Sequence, residues 1–385
     1  MKGAWPPRAT FRDVFAVREF RALWLAELLS VAGDRLALVA LTLLVYDRTR
    51  SPLLAAVTWA AGYLPWVIGG LFLASLADRR PRRSVMVTCD AVRAVLVAAM
   101  AVPHVPIWAL VALLFAVTMF APPFESARAA VTADILQGER YALGTAALQT
   151  TMMSGEVAGA VGGGVAVAFL GVGPSLVIDA ATFVVSGLLI GLGVRARPAA
   201  ASPETARASS LARMREGFRL VFGNRALRIL VLLGWLAAFY TIPQAVAAPY
   251  VHKLGLGPIA TGLVVASTVL ATMIATPLFT RFVGARLRLV LMGPLAVLTC
   301  ATLVLSALRP GLVISLVIFS VSAAFGVYQI AANTAFVIRV PNERRAQAFG
   351  LANMGVIIRT SRQARPGKGN SQCVTRGLEF PPRSR

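Results

Sequence analysis

Cysteine, histidine, lysine and acidic residues are all scarce in this chain. Three cysteines, Cys89, Cys300 and Cys373, stand far apart among 385 residues. They have no metal-ligand spacing and support no disulfide framework. The two histidines, His104 and His252, fall in short segments between apolar blocks and form no paired-ligand motif. Lysine occurs at positions 2, 253 and 368 alone. No glycine-rich loop ends in it, which removes a phosphate-binding ATPase loop. Arginine and alanine abound instead, a composition that suggests a GC-rich bacterial genome. No constellation of nucleophile, base and orienting acid stands out, so neither an enzyme nor a cofactor or metal site is expected.

What is present is apolar. Hydrophobic residues make up 57% of the chain and charged residues 14%, against about 25% charged in a soluble domain. The apolar residues come in blocks of about 20, long enough to cross a bilayer. Ten spans are expected, at roughly 20–46, 52–77, 84–102, 105–124, 143–170, 173–194, 228–250, 257–280, 287–308 and 311–336. The fold class is all-α membrane. The first block is too long for a signal-peptide core and lacks a small-residue cleavage site, so it stays as a span. The net charge of +22 invites a nucleic-acid reading. That reading fails because the charges sit between apolar blocks and form no continuous basic face.

The hydrophilic stretch 195–227 divides the spans six and four. The expected organisation is an N-terminal six-helix half (1–194), a cytoplasmic linker (195–227), an incomplete C-terminal half (228–356) and a disordered basic tail (357–385). From Leu211 the linker becomes amphipathic. Met214, Phe218, Leu220, Val221 and Phe222 are read on one helical side, with Arg213, Arg215 and Arg219 on the other, which fits a helix lying on the membrane face. With the N-terminus inside, the cytoplasmic segments up to Arg345 hold 25 Lys and Arg, Arg128 among them, while the outer loops hold 4, namely Arg48, Arg50, Lys253 and Arg309. This asymmetry orients the N-terminus to the cytoplasm. A weak repeat, Glu139-Arg140-Tyr141-Ala142-Leu143-Gly144 and Arg344-Arg345-Ala346-Gln347-Ala348-Phe349-Gly350, suggests two related halves.

Between spans two and three the chain reads Ala74-Ser75-Leu76-Ala77-Asp78-Arg79-Arg80-Pro81-Arg82-Arg83. This resembles the signature loop of the major facilitator superfamily, G-x-x-A-D-R-x-G-R-R, with Ala74 and Pro81 at the glycine positions. Further segments are similar to a bacterial exporter subfamily with enterobactin-exporter-like and macrolide-efflux-like members. They include Arg21-Ala22-Leu23-Trp24, Gly33-Asp34, Val45-Tyr46-Asp47-Arg48-Thr49, Tyr63-Leu64-Pro65-Trp66, Ala127-Arg128 and Asp179-Ala180-Ala181-Thr182-Phe183. The resemblance runs over roughly residues 15–356. It implies a monomeric secondary transporter in the bacterial cytoplasmic membrane, exporting hydrophobic drug-like or siderophore-like molecules by proton antiport. It also implies a conformational latch at Asp78, Arg79, Arg82 and Arg83, with the acid facing the second half.

Candidate site residues follow from polarity inside the spans. Glu27 and Asp34 in span 1 lie seven residues apart, two helical turns, so both face one side about 10 Å apart. Intramembrane charges are costly and face a cavity or a partner. Together with the neighbouring Arg35 they are candidates for proton coupling and cation recognition, Asp34 foremost; the alternative is a structural ion pair. Glu156 in span 5 stands among Gly155, Gly159 and Gly163, whose four-residue spacing makes a close-packing face. The run Gly159-Ala160-Val161-Gly162-Gly163-Gly164 resembles the superfamily's antiporter motif G-P-x-x-G-G, with Ala160 at the proline position. Asp179, and Asp90 with Arg93 at i, i+3, are read as structural, the latter a self-neutralising pair. Phe115, Met119, Phe120, Met152, Trp235, Phe239, Tyr240, Phe325 and Tyr328 are pocket or packing residues. Gln244, Gln329 and Asn333 are expected to face the cavity.

The chain end differs. The apolar stretch restarting at Ala346 stops at Ile358, short of the roughly 20 residues a span needs. Arg359, Arg362, Arg365 and Lys368 follow it. The expectation is a C-terminally truncated or frameshifted member of the family. The alternative to transport is then a truncated, transport-inactive membrane protein.

Overall fold

The computed structural model describes residues 10–63, 65, 80–197, 223–236, 241–308 and 310–339. Asp78 and Arg79, the amphipathic stretch from Leu211 to Phe222, Phe239, Tyr240, the second copy of the repeat and the basic tail lie outside the described residues, as does the side chain of Trp235.

The described residues form an all-α bundle. Its first half comprises α1 (Phe11–Phe15), α2 (Arg18–Thr49), α3 (Pro52–Ala61), α4 (Arg82–Met100), α5 (Ile107–Met119), α6 (Ala121–Ile135), α7 (Glu139–Leu170) and α8 (Val172–Gly193). The second comprises α9 (Arg225–Leu236), α10 (Ile242–Ala245), α11 (Ala247–Lys253), α12 (Pro258–Phe282), α13 (Ala285–Val304), α14 (Leu312–Phe325) and α15 (Tyr328–Arg339). Among the described residues, seven continuous helical stretches are long and apolar enough to span a membrane: α2, α5 with α6, α7, α8, α12, residues 286–308, and α14 with α15 through Phe336. Seven of the expected spans coincide with these; α3 and α4 fall at the start of the second and over the third, the α9–α11 series falls over the seventh, and the rest of the second span lies outside the described residues. Helix α4 falls short in apolarity because it carries Arg82, Arg83, Asp90 and Arg93.

Local chemistry sets the helix ends. Thr10 and Asp13 form a capping box on α1, each side chain accepting from the other's backbone N–H. Helix α2 stops at Arg50, which adopts a left-handed φ of 52°. The next helix starts at once, with Ser51 as N-cap and Pro52 in the first turn. The fourth span ends later than expected. Pro122 and Pro123 sit in the first turn of α6, where their missing N–H groups cost nothing. The helical stretch therefore passes through a turn at Phe120 and runs on to Ile135 instead of stopping near residue 124.

Small residues let α7 touch two partners. A Cβ on Gly159 would meet the Ala32 carbonyl at 2.2 Å, and one on Gly163 would meet Leu36 Cα at 3.0 Å. Gly155 faces Val31 and Leu28 less tightly. On its other side, a Cβ on Gly164 would meet the Pro258 carbonyl at 2.8 Å, and one on Gly262 of α12 the Ala160 carbonyl at 2.4 Å. Helix α7 thus joins the halves. They also close on each other at the end where α2 finishes. There Tyr46 and Trp59 share an apolar cluster with Ala247, Val251 and Val264. The Tyr46 ring meets that of His252 edge-on at 5.4 Å.

Candidate functional site

Below that seal, α2, α3, α4, α5, α6 and α7 surround a cavity of about 120 Å³. Its lining combines apolar Val31, Leu38, Leu114, Phe124 and Met152 with Glu27, Asp34, Arg35, Tyr63, Arg93, Glu125 and Glu156. Helix geometry explains the gathering. Glu27, Ser30, Asp34 and Leu38 recur every three to four residues on α2 and so share a face, and Arg35 stands beside it.

Three arginines organise the charges. Arg35 donates to both the Tyr63 hydroxyl and Glu156, which ties α2 to α3 and α7. Arg93 of α4 donates to Asp34 at 2.5 Å and to Ser30 at 3.2 Å. Its guanidinium lies 4.1 Å from the centre of the Phe183 ring. Arg128 of α6 donates to Glu125 and stands 3.2 Å from Glu27. Removing such charges from water is costly, and pairing repays part of it.

Several expectations are corrected here. Arg128 is not a loop residue: it sits within α6 with a side chain 13% exposed. Arg93 does not simply neutralise Asp90, which lies 3.8 Å away and takes the Ser186 hydroxyl at 2.6 Å. The nearer partner of Arg93 is Asp34, on another helix. Asp34 and Arg35, adjacent in sequence, bond to different helices instead of each other. Asp179 is buried beside Gly33, where an added Cβ would fall 2.2 Å from its Oδ1.

Glu27, Asp34, Arg35 and Glu156 therefore meet around one cavity. Gln244, Gln329 and Asn333 do not line it. Gln244 is buried and donates to Thr268 at 2.8 Å. Gln329 donates to the Gly234 carbonyl at 3.2 Å, and Asn333 is exposed. Met152 lines the cavity; Phe115, Met119, Phe120, Phe325 and Tyr328 do not, and Phe124 does. Of the latch residues, Arg82 is paired with Asp134 of α6, within its own half. Sequence reasoning missed Arg93, Glu125 and Arg128 as site residues. The signal was available, since no acid occurs between Glu216 and Glu343, which concentrates carboxyl chemistry in the first half.

A multi-pass helical membrane protein of two packed halves, with a charge-lined cavity in the first, is what fold and site define. The chain belongs to the Major Facilitator Superfamily, whose family model matches residues 23–357. A curated relative, the uncharacterized MFS-type transporter YkuC of Bacillus subtilis (strain 168), is 27% identical over 259 residues, 64% of this chain and 59% of YkuC. The chain thus spans less than two thirds of that relative's length. Among the solved structures that share the fold are two transporters. One is a bacterial homolog to the human lysosomal transporter Spinster in an inward-facing and unoccupied conformation, with TM-score 0.64, 17% identity, and 88% of this chain and 80% of that one covered. The other is a POT family transporter in complex with 5-aminolevulinic acid, with TM-score 0.71, 12% identity, and 93% and 91% covered.

Proposed function

We propose that this protein is a secondary active transporter that exports hydrophobic small molecules, drug-like or siderophore-like, in exchange for protons. The observation that carries the reading is the cavity itself. Ionisable carboxyls at Glu27, Asp34, Glu125 and Glu156 stand beside the apolar side chains of Leu38, Leu114, Phe124 and Met152 in one space. Apolar walls suit a hydrophobic cargo, and intramembrane acids suit ion coupling. The proposed setting is the bacterial cytoplasmic membrane, N-terminus inside, with the chain acting as a monomer. The sealed end then faces outward and the cavity lies on the cytoplasmic side of the seal. Asp78, Arg79, Arg82 and Arg83 are proposed to latch the halves during cycling. The exporter subfamily resemblance supports the direction of transport.

The test is transport by the purified chain in proteoliposomes, using a panel of hydrophobic dyes and a catecholate siderophore. An imposed pH gradient should drive at least one of them uphill, and a protonophore should abolish that movement. Movement indifferent to the pH gradient, or none with any probe, contradicts the proposal.

A further inference from the structure

We propose that the outer groove between α2 and α8, at the end of the bundle where α2 begins, binds an anionic phospholipid of the surrounding membrane. Arg18 and Arg21 hold its phosphate, and an acyl chain lies along the leucines of α8.

The groove has a volume of about 320 Å³. Arg18 and Arg21 line it from α2, three residues apart on one helix face, and both are exposed. From α8 it is lined by Val185, Leu188 and Leu192, which recur at i, i+3 and i+7 and so form one stripe. These three are 44%, 56% and 82% exposed. Small residues form the floor: a Cβ on Gly193 would fall 2.4 Å from the Ala22 Cβ. The arginines thus stand level with the end of α8. Val185, eight residues before Gly193, lies about 12 Å deeper along the helix. Charge at the membrane surface with an apolar trough beneath it is the polarity of a phospholipid.

Charge complementarity is the second observation. The nearby acids are already engaged. Glu19, next to Arg18 in sequence, accepts two bonds from the Arg197 guanidinium, at 2.8 and 3.1 Å. Asp13 is held in the capping box of α1. Among the described residues, neither Arg18 nor Arg21 has an ion-pair partner. Guanidinium groups match phosphate oxygens in geometry as well as charge, and basic pockets between helices at a membrane surface attract anionic headgroups. The other candidate cover is the stretch of this chain that follows α8, residues 198–222. It carries Arg207, Arg213, Arg215 and Arg219 against Glu204 and Glu216, a surplus of the same sign as Arg18 and Arg21. The complementary charge comes from the bilayer.

The experiment titrates the full chain, purified in detergent, with dioleoyl phosphatidylglycerol or with dioleoyl phosphatidylethanolamine, whose ammonium offsets its phosphate. Native mass spectra count the bound lipid. One phosphatidylglycerol should be held about 10-fold more tightly than phosphatidylethanolamine. The Arg18→Gln, Arg21→Gln double variant should lose that preference. The Arg12→Gln, Arg140→Gln double variant, which removes two other exposed arginines of the first half, should keep it. The Leu188→Gln, Leu192→Gln double variant should bind phosphatidylglycerol several-fold more weakly, and inorganic phosphate in large excess should not displace the lipid. All the substituted side chains are exposed, so the variants should match the parent in melting temperature. No preference in the unmodified chain overturns the proposal. So does a preference that survives loss of Arg18 and Arg21, or one that falls equally with Arg12 and Arg140. Displacement by inorganic phosphate, or unaltered binding in the leucine variant, reveals an anion site that takes no acyl chain and overturns it as well.

Discussion

The two halves of the bundle hold themselves together with different chemistry. Every ion pair between described residues falls within residues 19–197. In the described second half, polar contacts are mostly hydroxyl and amide bonds, such as Gln244 to Thr268, Tyr250 with Ser315, and Ser322 to the Thr299 carbonyl, with Arg288 donating to the Val283 and Thr280 carbonyls and to no acid. One half carries buried charge whose state can change with protonation. The other holds no ion pair among its described residues, and its bonds hardly depend on pH. The first half concentrates the buried charge, and the second packs against it through the glycine contacts of α7 and α12.

This contrast predicts unequal sensitivity to mutation. The largest effect is expected at Arg93. Replacing it with Met leaves Asp34, Asp90 and Asp179 without their shared cation, and breaking a buried pair in this way costs about 4 kcal/mol. Arg93→Met should yield little folded protein, or a sharply lowered melting temperature in detergent. Near-normal melting would show that the first-half charges are not structurally coupled. Next comes the α2–α7 contact. Gly159→Leu places carbon where the Ala32 carbonyl already lies, an overpacking of about 3 kcal/mol or loss of assembly. Normal yield and melting temperature would refute that close approach.

The second half should respond less. Gln244→Leu removes a donor to Thr268, but that hydroxyl still donates to the Val265 carbonyl at 2.8 Å. The expected cost is about 1 kcal/mol, read as a small drop in melting temperature. A loss as large as that of Arg93→Met would erase the distinction between the halves. The smallest effect concerns α1, outside the membrane. Hydrogen bonds from the Thr10 backbone and side chain hold the Asp13 carboxyl below its ordinary range. A depressed carboxyl contributes stability above its unfolded value and loses it as pH falls through the folded one. Protection factors of residues 11–16, taken against the intrinsic exchange rate at each pH, should therefore fall on acidification through the lower carboxylate range, and Asp13→Asn should flatten that dependence. Equal pH profiles for both chains would dismiss the capping box.

The spans were legible because blocks of about 20 apolar residues have few alternatives in a membrane protein. The seven-residue spacing of Glu27 and Asp34 already placed them on one side of α2. Their partners were not legible. Arg35 meets Glu156 from 121 positions away and Asp34 meets Arg93 from 59, and such pairings depend on how helices pack. Arg128 was misplaced for a local reason. The fourth span was expected to end near residue 124, yet proline in a first turn is also how a helix begins, and α6 runs on to Ile135. Adjacent Asp34 and Arg35 looked like a pair, but residues one apart on a helix point about 100° away from each other.

The most direct measurement is the proton movement that accompanies transport in proteoliposomes, comparing the unmodified chain with the Glu27→Gln, Asp34→Asn double variant. If titratable chemistry resides in the first-half network, the unmodified chain should move protons against substrate, and the double variant should move none while still exchanging substrate. Undiminished proton movement by the double variant would place the coupling elsewhere and contradict the account.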